Sequence, residues 1–148
     1  MIDPKTAENV ARAALAAARD YFDLSHEWDI KLKVERLDDG EMGRIDQLPA
    51  YMRATIKYDS SQVDDAAELW SVIGHEVAHL AFSEHSQFGL TVEKHLDGPM
   101  PPALFAAWQY GNERAVSRLQ RMFVRDRPLP GLGAASGGSL DPSPPGTP

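Results

Sequence analysis

From Trp28 to Glu35 the chain alternates without a break: Trp28, Ile30, Leu32 and Val34 are apolar, and Asp29, Lys31, Lys33 and Glu35 between them are charged. A period of two sends alternate side chains to opposite faces, so this segment predicts a half-buried β-strand. Asp38-Asp39-Gly40 ends it with turn chemistry. The alternation returns in YMRATIKYD, where Met52, Ala54, Ile56 and Tyr58 face one way and Arg53, Thr55 and Lys57 the other. It predicts a second strand from about Tyr51 to Tyr58. Between the two, Gly43 to Asp46 is a shorter strand candidate, closed off by Pro49.

Elsewhere the period is helical. Asp3 is a candidate N-cap, Pro4 suits the first helical position, and Ala11, Leu15, Ala18 and Phe22 recur at helical spacing, so a helix is expected to end near Leu24. Asp65 followed by Glu68 has the form of a capping box, and Leu69, Ile73, Val77 and Leu80 mark a helix from about Asp65 to Phe82. Val72, Ala78 and Phe82 add apolar surface on its other sides, and a helix that is apolar nearly all round is buried. Gly74 in its interior predicts a very close neighbour, expected to be a strand. In a last helix, from about Ala103 to Arg125, Phe105, Trp108, Asn112, Val116, Leu119 and Phe123 form the inward stripe. Arg114, Arg118, Arg121 and Arg125 line the opposite side and read as a solvated face balancing an acidic protein.

In a chain of 148 residues with an ordinary apolar fraction of 43%, these elements predict one α+β domain over residues 1–126. Its expected parts are an N-terminal helix, a small twisted sheet with a mainly antiparallel edge, a central helix and a C-terminal helix. Residues 127–148, RPLPGLGAASGGSLDPSPPGTP, hold too little apolar surface to offset their chain entropy and predict a disordered tail. No basic N-terminal region precedes an apolar run, and no apolar stretch nears the roughly 20 residues that span a bilayer, so the expectation is a cytoplasmic protein without a membrane partner. A net charge of −7 disfavours nucleic acid. Nothing in the pattern specifies an oligomeric state.

The absence of cysteine excludes disulfides and thiolate ligands, which leaves imidazole and carboxylate as metal donors. The central helix carries such donors as His75-Glu76-Val77-Ala78-His79, the pattern HExxH. Residues four apart on a helix are rotated by about 40°, so both imidazoles leave one face close enough to share a cation. Glu76 lies about 100° further round, beside the ion, where a carboxylate can take a proton from activated water. Polar groups on a buried helix need partners, and one zinc ion per chain supplies them.

A catalytic zinc site has three protein ligands and an open position. His85 falls where metzincins, HExxHxxGxxH, place their third histidine, but Phe82 stands at the glycine. On a continuing helix His85 would point about 240° away from His79. The same spacing resembles small bacterial metal-dependent endoribonucleases that mature ribosomal RNA. Those carry Gly at the second motif position and an upstream DVLSFP segment that this chain lacks. Glu113, on the border of the last helix's inward stripe, is the other candidate if that helix packs beside HEVAH; it also reads as an ordinary solvated glutamate.

HEVAH followed by a helix beginning NERAVSRLQRMF resembles the gluzincin pattern. It is most similar to minimal zincins, small phage- or prophage-type zinc peptidase-like proteins, with the ImmA/IrrE peptidases as more distant relatives. Members follow HExxH with a helix of the form E-x-x-x-x-x-L, which here spans Glu113 to Leu119. The resemblance covers roughly residues 50 to 125, HEVAH being its specific part. It implies a small zincin-like domain, Zn2+ held by His75, His79 and Glu113, Glu76 as the base, and hydrolysis of a peptide or protein substrate. In that pattern the strand before the active-site helix lies at the rim of the cleft, which makes Thr55, Ile56 and Lys57 the expected edge for an extended substrate. Tyr110 and His95 are candidate stabilisers of the transition state. A non-catalytic zinc-binding module with the same fold is the alternative reading.

Overall fold

The computed structural model describes residues 2–24, 26–38, 40–83, 91, 94, 95 and 100–131. Helix α1, Pro4–Tyr21, begins as expected: the Asp3 carboxylate accepts the N–H groups of Lys5 and Thr6, both at 3.1 Å, and Pro4 occupies the first turn. It stops short of Leu24, because Phe22 caps it and Asp23 enters the left-handed region at φ 56°. Its buried stripe is Ala7, Ala11, Ala14 and Ala18, which includes the expected Ala11 and Ala18, while the expected Leu15 and Phe22 are only half-buried. Small side chains along the seam let α1 lie close against α2, Ala66–Ala81.

The sheet has three strands, β1 Asp29–Val34, β2 Gly43–Leu48 and β3 Arg53–Tyr58, in the order β1-β3-β2. β1 runs parallel to β3 and β2 antiparallel, so the sheet is mixed, not mainly antiparallel. β2 is longer than expected, and β3 starts at Arg53 because Pro49–Tyr51 form a 3-10 turn that Met52 leaves at φ 50°. Ala54, Ile56 and Tyr58 face the helices together with Ile30; Val34, at the strand end, stays 59% exposed.

β3 is the centre of this sheet. Its backbone is paired on both sides, so Thr55, Ile56 and Lys57 cannot receive a substrate strand. Ile56 is buried in the core, whereas Lys57 pairs on the outer face with Asp46 at 2.9 Å. The alternation foretold which side chains face inward but carried no information on which strand lies between the others. The edges are β1 and β2.

Asp65 caps α2 through the N–H groups of Ala67 and Glu68 at 2.9 Å. Glu68 reaches back to the Asp64 N–H at 2.7 Å, one residue earlier than a standard capping box would have it. Leu69, Trp70, Ile73, Val77 and Leu80 are buried. Helix α3, Pro102–Asp126, runs antiparallel to α2: its late residue Phe123 stacks on Trp70, and its earlier Glu113 lies beside His79.

The close neighbour of Gly74 is α3, not a strand. A Cβ at Gly74 would lie 2.5 Å from the Phe123 ring. The strand approaches elsewhere, at Gly43 of β2, where a Cβ would lie 2.6 Å from Val72 Cγ1. Two glycines, one on each side, thus let α2 be gripped between β2 and α3. The packed chain also runs past the expected boundary at Asp126. The Trp70 indole donates to the Arg127 carbonyl at 2.9 Å, Arg127 pairs with Asp20 at 3.1 Å, and Leu129 packs on the core. The rest of the expected tail, from residue 132 on, lies outside the described residues. Arg114, Arg118, Arg121 and Arg125 are exposed as expected. Among the described residues no helix is long and apolar enough to cross a membrane.

Candidate metal centre

His75 and His79 leave α2 on one face, with ring centroids 4.9 Å apart and planes nearly perpendicular at 84°. Glu113 of α3 meets them: its Oε2 lies 3.6 Å from His75 Nε2 and its Oε1 3.7 Å from His79 Nε2. Those separations are too long for hydrogen bonds. They are close to the spacing of donors around one ion, since zinc with ligands at about 2.0–2.2 Å in a tetrahedron holds them about 3.4 Å apart. One donor atom from each of the three residues falls within 4.8 Å of the others. The set could hold a metal ion.

Electrostatics agree with the geometry. Burial drives His79 below the ordinary imidazole pKa, with His75 adding to the shift and Glu113 opposing it, so the neutral, ligating form prevails. Glu76 is 7% exposed, and its carboxyl is pushed up to about 7, first by burial and then by the nearby Glu113 and Glu41. The Glu76 Oε1 lies against the backbone of Gly43, where an added Cβ would sit 3.1 Å away.

These residues open on a cleft of about 450 Å³ whose other wall is β2, through Gly43, Arg44, Ile45 and Gln47, with Glu41 also lining it. A larger hollow of about 540 Å³, lined by Phe22, Trp28, Met52 and Leu80, contains none of the candidate groups. The Asp59 N–H donates to the Met42 carbonyl at 3.0 Å. In an antiparallel ladder bonded pairs alternate, so residues 44, 46 and 48 bond to β3. The N–H and C=O groups of Gly43, Ile45 and Gln47 are left on the free edge, where the cleft runs.

No family model, curated protein or solved structure matches this chain. Its chemistry is carried by its own residues. His75, Glu76, His79 and Glu113, expected together, are together. Tyr110 and His95 do not line the cleft: Tyr110 is 64% exposed beneath the Arg114 guanidinium, and His95 is exposed. His85 lies outside the described residues. The premise of a continuing helix does fail, because α2 ends at Ala81 with Phe82 as its cap at φ −105°, and no glycine is needed. The cleft wall from β2 was not anticipated. Gly43 was its one available signal, since glycine in a strand marks close backbone approach.

Proposed function

We propose that this chain is a zinc-dependent peptidase with a minimal zincin fold, one Zn2+ being held by His75, His79 and Glu113. The observation that carries the proposal is a pair of imidazoles and a carboxylate at ligand spacing beside the buried Glu76. Two nitrogens and one oxygen without thiolate suit a catalytic zinc with an open position. A zinc ion there supplies Lewis-acid chemistry, acidifying a water and polarising a carbonyl oxygen.

Glu76 takes the proton from the attacking water at its carboxylate and hands it to the departing amine nitrogen. Burial, which pushes this carboxyl up to about 7 in the metal-free protein, acts in the direction that taking up the proton requires. The free edge of β2 receives the substrate as an added strand, with Gly43, Ile45 and Gln47 offering backbone donors and acceptors. Arg44 and Gln47 are the side-chain donors in the cleft suited to a developing oxyanion, in place of Tyr110 and His95.

Metal analysis tests the site. Purified protein is expected to carry one zinc per chain, lost in His79→Ala and Glu113→Ala; zinc that survives Glu113→Ala but not His85→Ala would assign the third ligand to His85. Loaded protein that cuts no peptide in a broad panel would favour the non-catalytic zinc module. The docking edge has its own test. Ile45→Pro removes an N–H from the free edge without breaking a bond to β3, so kcat/KM should fall by about tenfold with zinc retained. Unchanged cleavage would reject β2 as the substrate edge.

A further inference from the structure

Among the described residues, a side-chain pair joins α2 and α3 in mid-seam, away from the candidate ligands. The Gln120 amide donates to the Ser71 hydroxyl at 2.6 Å and more weakly to the Ser71 carbonyl at 3.3 Å. Ser71 stands one turn before His75 and two before His79, on the same stripe of α2. Gln120 stands seven residues after Glu113, two turns along α3 and only about 20° round it. The stripe that presents both imidazoles therefore faces the stripe that presents the carboxylate, and the Ser71–Gln120 pair joins them further along the same seam.

Little else holds Glu113. Among the described residues its carboxylate accepts no hydrogen bond, and its side chain is 57% exposed. In the half of α3 that precedes it Phe105, Trp108 and Asn112 are only half-buried, and Leu104 and Tyr110 are exposed. The fully buried side chains of α3, Val116 and Phe123, follow Glu113, as do the bond from Tyr21 to Asp126 at 2.7 Å and that from Trp70 to Arg127. Of these, the Phe123 ring over Gly74 sets how close the helices come. The ring sets the separation, and the directional hydrogen bond of 2.6 Å adds a restraint on slide and rotation nearer to Glu113.

We infer that Gln120, through Ser71, is a positioning residue that sets the register of α3 on α2 and so brings Glu113 to ligand distance from His75 and His79. The inference rests on the metal site proposed above. It assigns no chemistry to Gln120 itself; without the pair, the carboxylate arm would wander from the geometry a metal requires.

The test measures Zn2+ affinity by chelator competition and the visible spectrum of the Co2+ adduct, with Tm of the metal-free proteins alongside. Gln120→Met and Ser71→Ala should each weaken Zn2+ by about tenfold, and the double variant should be no weaker than either, because both remove one link. Their Co2+ spectra should shift towards that of Glu113→Ala, reporting a loosened carboxylate. Tyr21→Phe is the control, since it removes a hydrogen bond at the far end of α3 and should lower Tm comparably while leaving affinity and spectrum unchanged. The inference is overturned if Gln120→Met binds Zn2+ as wild type does, if the two losses add, or if Tyr21→Phe weakens binding as much. If wild type and His79→Ala take up Co2+ alike, the metal site itself fails, and this inference with it.

Discussion

Glu76→Gln is expected to retain one zinc per chain and to lose peptide hydrolysis by roughly a hundred- to ten-thousandfold, the share a positioned general base contributes. Glutamine keeps the shape and the contact with Gly43 but cannot accept and release a proton. The metal-free proteins should differ in stability as well, and in a direction burial dictates. A carboxyl at about 7 in the fold against 4.5 as its ordinary value binds its proton more tightly when native. Its contribution is therefore greatest below pH 4.5 and is lost as pH rises through 7. Uncharged Gln escapes that loss, so the metal-free variant should gain on wild type by up to about 3 kcal/mol near pH 8 and by almost nothing near pH 4. Denaturant unfolding across that range measures the gap; a gap that stays flat would show that Glu76 is solvated. Undiminished peptide cleavage by Glu76→Gln would exclude it as the base.

Phe123→Ala should be the most damaging single truncation, by about 3–5 kcal/mol and a fall in Tm of about 10–15 °C. The ring is fully buried, lies over Gly74, stacks on Trp70 with centroids 5.7 Å apart, and meets Tyr21 and Phe22 at 5.7 and 6.0 Å. Since Gly74 has no side chain to collapse into the space, the cavity would persist. Thermal unfolding read by circular dichroism checks this, and a loss below about 1 kcal/mol would mean that α3 is held chiefly by other contacts.

Much of this arrangement is legible in the residues alone. Asp3, Pro4 and Asp65 cap the helices from which they were read, and the two alternating segments are strands. HEVAH gives its geometry away because spacing on a helix is rigid, and Glu113 was within reach because its helix shows a clear inward stripe. Strand order was not legible: alternation specifies faces, and the neighbours of β3 depend on how loops close in space. For that reason Thr55, Ile56 and Lys57 read as an edge although β3 lies between two strands. Gly74 announced a close contact without naming its partner, since a missing side chain says only that something fills its place. On α1 the expected Ala11 and Ala18 are buried, but close packing on α2 favours Ala7 and Ala14 beside them over the larger Leu15 and Phe22.

The donor set is divided between two helices that the ribosome delivers at different times. His75 and His79 emerge with α2, and a chain that has reached only that point can offer an ion two nitrogens. The third donor comes with α3, and the residues that seat α3, Phe123 and Arg127, emerge after Glu113 itself. A metal ion held by all three donors would therefore have to wait for the docking of the last described helix, and a chain that stops before Glu113 could not offer the third donor. An ion bound by the full set would report that synthesis and folding of this part of the chain are complete.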